Sequence, residues 1–227
     1  MTNFSKLVLK MTEYEGGCVE RVNHFLKVFA FVKTIAEGED VDDATKEILE
    51  ESISFSCGNE DLDGFFHNDA VSYAANLFGK SYCYYLEESK ADIVCAFTVS
   101  NASIFTKYLP NARKKKVGKH VPHIKQDLIY PAVLIGRLGI STKFQHLHIG
   151  TEVMDFIKSW FVEPYNKTGC RYLVVDAYNE DVPVAFYKKN GFDFMFSTEE
   201  QEKSYRGIVS DNPLKTRLMY FDLILIK

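Results

Sequence analysis

Three stretches of the chain hold residues whose types and spacing bear on chemistry. The first is a polar turn, Ser141-Thr142-Lys143-Phe144-Gln145-His146-Leu147-His148-Ile149-Gly150-Thr151. It lies between an apolar run ending in Leu138-Gly139-Ile140 and an amphipathic stretch bearing Val153, Met154, Phe156, Ile157, Trp160 and Phe161. A strand, a polar turn and a helix in that order make an anion cradle, because the first N–H groups of a helix lack intrahelical acceptors and its dipole favours negative charge there. Gly150 lets an anion approach the backbone without meeting a Cβ. Taken alone, this outline favours plain structure, since any strand-loop-helix crossover shares it. The second stretch is Asn179-Glu180-Asp181-Val182-Pro183-Val184-Ala185-Phe186-Tyr187-Lys188-Lys189-Asn190-Gly191-Phe192. Asn179 or Asp181 can cap a short helix there, Pro183 suits its first turn and Gly191 its end. The third is the basic run from Arg113 through Lys116 to Lys119, either a handle for tRNA or another polyanion or, as favoured, a solvated loop.

The elements that must position these groups are legible in part. Leu7-Val8-Leu9 reads as a short strand, Val22, Phe25, Leu26 and Phe29 recur at helical spacing, and Ala44 to Glu51 reads as a further short helix beyond an acidic link. Ile53 to Ser56 alternates like a half-buried strand. Leu62, Phe65, Phe66 and Ala70 share one face of a helix that Asn59 or Asp61 can cap. Ser81–Leu86 and Ile93–Val99, separated by the polar turn Glu87-Glu88-Ser89-Lys90, predict a hairpin. Residues 105–129 predict a long loop, either binding or mobile. Pro131 to Ile140 is nearly continuous in apolar residues, as in a strand covered on both faces. Further strands are expected at Arg171–Ala177, Phe192–Phe196 and Arg217–Ile226.

Composition bounds the function classes. With 227 residues, 46% of them hydrophobic and 14% aromatic, the chain can bury a substantial core. A net charge of −4 argues against a surface wholly committed to nucleic acid. The five cysteines, Cys18, Cys57, Cys83, Cys95 and Cys170, are odd in number and lack CxxC spacing, which predicts reduced thiols and no metal site. No run approaches the ~20 apolar residues of a membrane helix, and the N-terminus lacks a signal-peptide layout. A cytoplasmic protein is expected, with no membrane partner, and self-association as a homodimer is left open.

The order strand, Gln145-x4-Gly150-Thr151, helix, strand, Asn179-x5-Ala185-Phe186-Tyr187-x3-Gly191-Phe192 resembles the Gcn5-related N-acetyltransferase (GNAT) family over roughly residues 50–227. The resemblance implies an α/β (α+β) acyl-CoA N-acyltransferase fold, with a central mixed, mostly antiparallel twisted sheet flanked by helices. It divides the chain into a helical N-terminal extension, 1–52, packed on an acetyltransferase domain, 53–227. It further implies acetyl-CoA as cosubstrate and an amine acceptor on a small molecule, peptide or protein. Backbone amides of Leu138, Gly139 and Ile140 would orient the thioester and pantetheine arm. Residues Gln145, His146, Leu147, His148, Ile149, Gly150 and Thr151 would hold pyrophosphate, Asn179 would bond the pantetheine amide or cap a helix, and Tyr187 would donate a proton to sulfur. Tyr187 also reads simply as an aromatic packed beside Phe186. His148 stands where the family pattern has Gly, which the turn accommodates if φ stays negative. His146 and His148 read as exposed loop residues or as added positive charge near phosphate. A general base is not singled out among Asp63, Asp69, Asp176 or a water. Phe55-x-Cys57-Gly58-Asn59-x2-Leu62-Asp63-x-Phe65-Phe66 is similar to the entry segment of a subgroup that includes toxins acetylating aminoacyl-tRNA, so RNA is admitted as a partner without being favoured. A non-catalytic acetyl-CoA-binding module is the remaining alternative.

Overall fold

Apolar side chains alternate across the strands and split the core into layers on the two faces of one sheet. The computed structural model describes residues 27–30, 55–86, 92–122, 129–166 and 168–227. In it, β1 (Lys27–Ala30), β2 (Lys80–Tyr85), β3 (Ile93–Phe105), β4 (Ile129–Ile140), β5 (Tyr172–Tyr178), β6 (Asp193–Phe194) and β7 (Thr216–Asp222) form a sheet in the order β1-β2-β3-β4-β5-β7-β6. Every pairing is antiparallel except β4 with β5. A parallel pair needs a crossover connection, and α4 (Ile149–Val162) supplies it.

On one face, Val153, Met154, Ile157 and Phe161 of α4 pack against Val133, Ile135, Leu173 and Val175, joined by Phe186 and Tyr187 of α5 (Asp181–Lys189). The opposite face carries two clusters. One sets Phe65, Phe66 and Ala70 against Cys83, Ile93 and Ala96; the other sets Leu109, Val117 and Phe196 against Ala132, Tyr172, Val174 and Tyr220. Between α1 (Glu60–Gly64) and α2 (Ala70–Ala75), residues Phe65–Asp69 form a π-helical turn, and both adjacent phenylalanines are buried. Asn59 caps α1, its Oδ1 accepting from the Leu62 N–H at 3.1 Å.

Four expectations are corrected. Lys27–Ala30, within the predicted helix around Phe25 to Phe29, is a strand along the edge of β2. So short an apolar run does not separate strand from helix by period, and pairing satisfies an otherwise open sheet edge. Leu7 to Leu9, Ala44 to Glu51 and the turn Glu87 to Lys90 lie outside the described residues. Phe55 and Ser56 are not a strand: the Phe55 carbonyl accepts from His67 Nε2 at 2.6 Å and the Ser56 carbonyl from the Thr142 N–H at 2.8 Å. The predicted long loop contains α3 (Asn111–Val117), because Ala, Arg and Lys favour helix and Arg113 and Val117, one turn apart, both face inward. The last strand stops at Asp222, whose Oδ1 accepts from the Ile224 N–H at 3.2 Å and turns the chain into a 3₁₀ helix.

Helix α6 (Glu199–Arg206) is tied to the sheet by charge. Glu202, fully buried, accepts from Arg206, from Arg217 Nε at 2.8 Å and from the Leu218 N–H at 2.7 Å. Arg206 also forks onto Asp176 of β5 at 2.7 Å and 3.2 Å. Removing one member of such a buried set leaves uncompensated charge. Glu202→Ala is therefore expected to cost roughly 3 kcal/mol, read as a lower denaturation midpoint at constant slope.

Candidate functional site

Two neighbouring strands of this sheet part company. The β4–β5 ladder runs from Ala132↔Tyr172 to Ile135↔Val175 and ends, although β4 continues to Ile140 and β5 to Tyr178. Each keeps its outer partner to the end, β4 on β3 and β5 on β7. The separation starts at a β-bulge: Thr98 opposes Arg137 and Val99 opposes Ile135, so Gly136 is the extra residue. The bulge also reverses which side chains face which layer. Before it, Val133 and Ile135 enter the α4 layer; after it, Leu138 and Ile140 do, while Arg137 moves to the opposite face and stacks on the Phe65 ring at 3.6 Å.

Register fixes where the backbone points. The Ser141 N–H donates to the Val94 carbonyl at 2.8 Å. By antiparallel alternation Gly139 turns its N–H toward β3, whereas Leu138 and Ile140 turn theirs toward the gap. Of the three predicted backbone ligands, Leu138 and Ile140 thus present amides to the opening and Gly139 does not. Gly139 serves another purpose: a Cβ there would meet Cys57 and Phe55 at 3.1–3.2 Å, so its absence lets the 55–57 segment lie on the strand.

The turn after β4 is braced by Gln145, whose Nε2 donates to the Cys57 carbonyl at 2.9 Å and the Ile140 carbonyl at 3.1 Å. The Gln145 side chain thus serves as a strut within the chain. His146 and His148 adopt φ of 64° and 62°, so the condition of negative φ at position 148 is not met. The left-handed conformation costs a non-glycine residue about 1 kcal/mol. Both histidines are exposed and leave the turn open. Among the described residues, the N–H groups of His148, Ile149 and Gly150 have no acceptor, while the Thr151 N–H is spent on the His148 carbonyl at 3.0 Å. Left-handed residues swing successive amides to one side and make an anion-binding nest. Gly150 is required by packing, since a Cβ would stand 3.0 Å from the Phe186 ring.

Across the gap, α5 carries Tyr187 in edge contact with Phe186 at 5.2 Å and Phe192 at 5.5 Å between ring centres. Burial pushes its phenol above the usual range, so it stays protonated, and no described residue hydrogen-bonds its hydroxyl. Asn179 spends its Nδ2 within the chain, donating to Glu199 Oε1 and the Leu214 carbonyl, both at 2.9 Å. Nor does Asn179 or Asp181 cap α5, whose N-cap is Glu180 without a side-chain bond. Two of the candidate bases are also committed. Burial opposes the ionised Asp63, but the Cys57 N–H at 2.7 Å and the Ser56 hydroxyl at 2.8 Å prevail and hold its carboxyl below the usual value. Asp176 pairs with Arg206. Two members of the basic run are bound, Arg113 buried and donating to the Met195 carbonyl at 3.0 Å and Lys116 paired with Asp193, while Lys115 and Lys119 are exposed.

Sequence reasoning missed a second group, on the face of the sheet opposite Tyr187. Tyr178, at the end of β5, donates from its hydroxyl to Asp61 Oδ2 at 2.8 Å. Its phenol is pushed up to about 12 by burial and by Asp61, against the pull of the Arg137 charge. Gly136 inside a strand and Arg137 as the lone charge in an apolar run were the available signals. Among the described residues no cluster of His, Cys, Asp and Glu could hold a metal ion, and no helix is long and apolar enough to cross a membrane.

A tyrosine-to-phenylalanine mutant of KacT superposes with a TM-score of 0.58 at 18% identity, over 89% of this chain and 98% of that one. AtaT complexed with acetyl-methionyl-tRNAfMet gives 0.56 at 20% identity, over 88% and 96%. AtaTR bound with AcCoA gives 0.54 at 19% identity, over 89% and 96%. The chain has the GNAT fold. No protein-family model matches the sequence, and no curated protein does. Within the GNAT fold, the residue that replaces the pattern's glycine retains the backbone conformation that glycine adopts without strain. His148→Gly is accordingly expected to raise stability by up to ~1 kcal/mol, partly offset by the entropy of the unfolded chain. Chemical denaturation checks this; a clear loss of stability would contradict the left-handed assignment.

Proposed function

We propose that the chain is an N-acetyltransferase that moves acetyl from acetyl-CoA to an amine by direct transfer. The observation that carries this reading is the gap between β4 and β5, edged by the Leu138 and Ile140 amides and continuous in sequence with the open turn at 148–150. Free amides along a strand edge suit a carbonyl oxygen that gains negative charge, and a nest at a helix start suits a diphosphate. Two structural neighbours have acetylated ligands, AcCoA with AtaTR and acetyl-methionyl-tRNAfMet with AtaT.

In this reading the neutral amine attacks the thioester carbon, the C–N bond forms, and the C–S bond breaks as the tetrahedral intermediate collapses. The departing thiolate gains a proton from Tyr187, and the proton that the amine nitrogen loses passes through water to the phenolate left behind, so that Tyr187 is restored and protons balance. A protonated, unbonded phenol packed in the same layer as Leu138 and Ile140 is suited to that donation. The acceptor is an amino group on a small molecule, peptide or protein. A second reading, acetylation of aminoacyl-tRNA, is favoured by the ligand of AtaT. The non-catalytic alternative is prompted by His148, whose ring is exposed; acceptor turnover separates it from this reading.

Tyr187→Phe is expected to lower turnover roughly 100-fold or more, measured as thiol release over a panel of amines and charged tRNAs, with the calorimetric affinity for acetyl-CoA unchanged. Full retained turnover would remove Tyr187 from the chemistry. Failure of the unsubstituted chain to bind acetyl-CoA would overturn the reading itself.

A further inference from the structure

Arg137 is the exception among the described arginines. Arg113 pairs with Asp193, Arg171 with Asp222, Arg206 with Asp176 and Glu202, and Arg217 with Glu202. Arg137 has no carboxylate among the described residues; it is half-buried, its guanidinium carbon lies 3.6 Å from the Phe65 ring centre, and its Nε is shut from solvent without an acceptor. Leaving a desolvated guanidinium unpaired costs free energy unless an anion arrives to meet it. With Nε closed off, the paired Nη edge is the one left to grip a carboxylate or phosphate with two hydrogen bonds. The Gly136 bulge is what sets the side chain here; in unbroken alternation position 137 would have entered the apolar α4 layer with Val133 and Ile135.

Its surroundings complete a two-signed site. Tyr178, near enough for its phenol to respond to the Arg137 charge, donates to Asp61, an exposed carboxylate on α1. One positive and one negative group therefore flank the Tyr178 hydroxyl, on the face opposite Tyr187, beside the strand ends where the sheet has opened. We infer that this is the acceptor subsite and that the acceptor is an amine carrying an anion close to its nitrogen. Arg137 grips the anion, and Asp61 faces the ammonium before it sheds its proton and attacks. This inference rests on the acetyltransferase reading and narrows the acceptor within it. The shared chemistry is an ammonium beside an anion; the anion's source is a carboxylate, a phosphate monoester or the phosphodiester of a charged tRNA.

The test is steady-state thiol release with acetyl-CoA and, separately, glycine, O-phosphoethanolamine, a charged tRNA and putrescine, for the unsubstituted chain and for Arg137→Ala, Arg137→Met and Arg137→Lys. We expect turnover with at least one of the three anion-bearing acceptors, and which one identifies the source. For that acceptor KM rises tenfold or more in Arg137→Ala and Arg137→Met and recovers in part in Arg137→Lys, with calorimetric acetyl-CoA affinity unchanged in all. Arg137→Met keeps the contact with Phe65, so a purely structural role would leave its KM alone. Preference for putrescine, a KM indifferent to all three substitutions, or no turnover with any anion-bearing acceptor overturns the inference. If acetyl-CoA binding is intact, the acetyltransferase reading survives that result; if the unsubstituted chain binds no acetyl-CoA, both fall.

Discussion

A parallel ladder of four residue pairs holds β4 against β5, and its early end governs the rest of the molecule. Beyond Ile135 and Val175 the two strands have unpaired facing edges in the interior of a sheet, where backbone N–H and C=O groups ordinarily find partners. Such an edge is stable only if something else keeps the strands where they are. The bulge at Gly136 bends β4 away, and the long pairing with β3 holds it there. On the other side β5 is paired to β7 as far as Tyr178, and Arg206, Glu202 and Arg217 tie α6 to both strands. The opening is a product of what lies outside it.

From that opening follow the roles of the two faces. The face with α4 and α5 holds the free amides at the start of α4 and the half-buried Tyr187, with Gly150 shaved to hydrogen so that Phe186 can pack on the helix start. The opposite face holds Arg137, Tyr178 and Asp61, set on the π-helical turn and the capped start of α1. Gly139 and Gln145 join the two, the first by admitting the 55–57 segment onto β4 and the second by tying its carbonyl at Cys57 to the end of the strand. Under the acetyltransferase reading, such a divided gap lets one side deliver the activated acyl group and the other the amine.

The sequence carried the sheet well where periods were long. The hairpin of β2 and β3, the apolar run of β4, the amphipathic α4 and the capped helix after Asn59 are all where pattern placed them. It failed where polar side chains took over backbone bonding, as at Phe55 and Ser56, which bond His67 and the turn at Thr142 instead of a ladder. It failed again where composition suggested solvent: Arg113 reads as one of a basic run, yet the helix turns it inward onto Met195. The candidate site was legible as a location more than as a set of contacts. The turn at 145–151 opens the helix after β4 and Tyr187 packs in the same layer as Leu138 and Ile140, while Gln145 and Asn179 spend their amide nitrogens inside the chain. Arg137 was hidden because a single bulge decides its face, and a bulge is a matter of register between strands far apart in sequence.

The most direct measurement of the central claim is amide-resolved hydrogen exchange of β4 with and without acetyl-CoA. Exchange reports whether each N–H has a partner. Leu138 and Ile140 are predicted to exchange readily in the free chain and to slow at least tenfold on saturation, while Gly139, bonded to β3, stays slow in both states. Slow exchange at Leu138 and Ile140 without ligand, or rates there that saturating acetyl-CoA leaves untouched, would contradict the account.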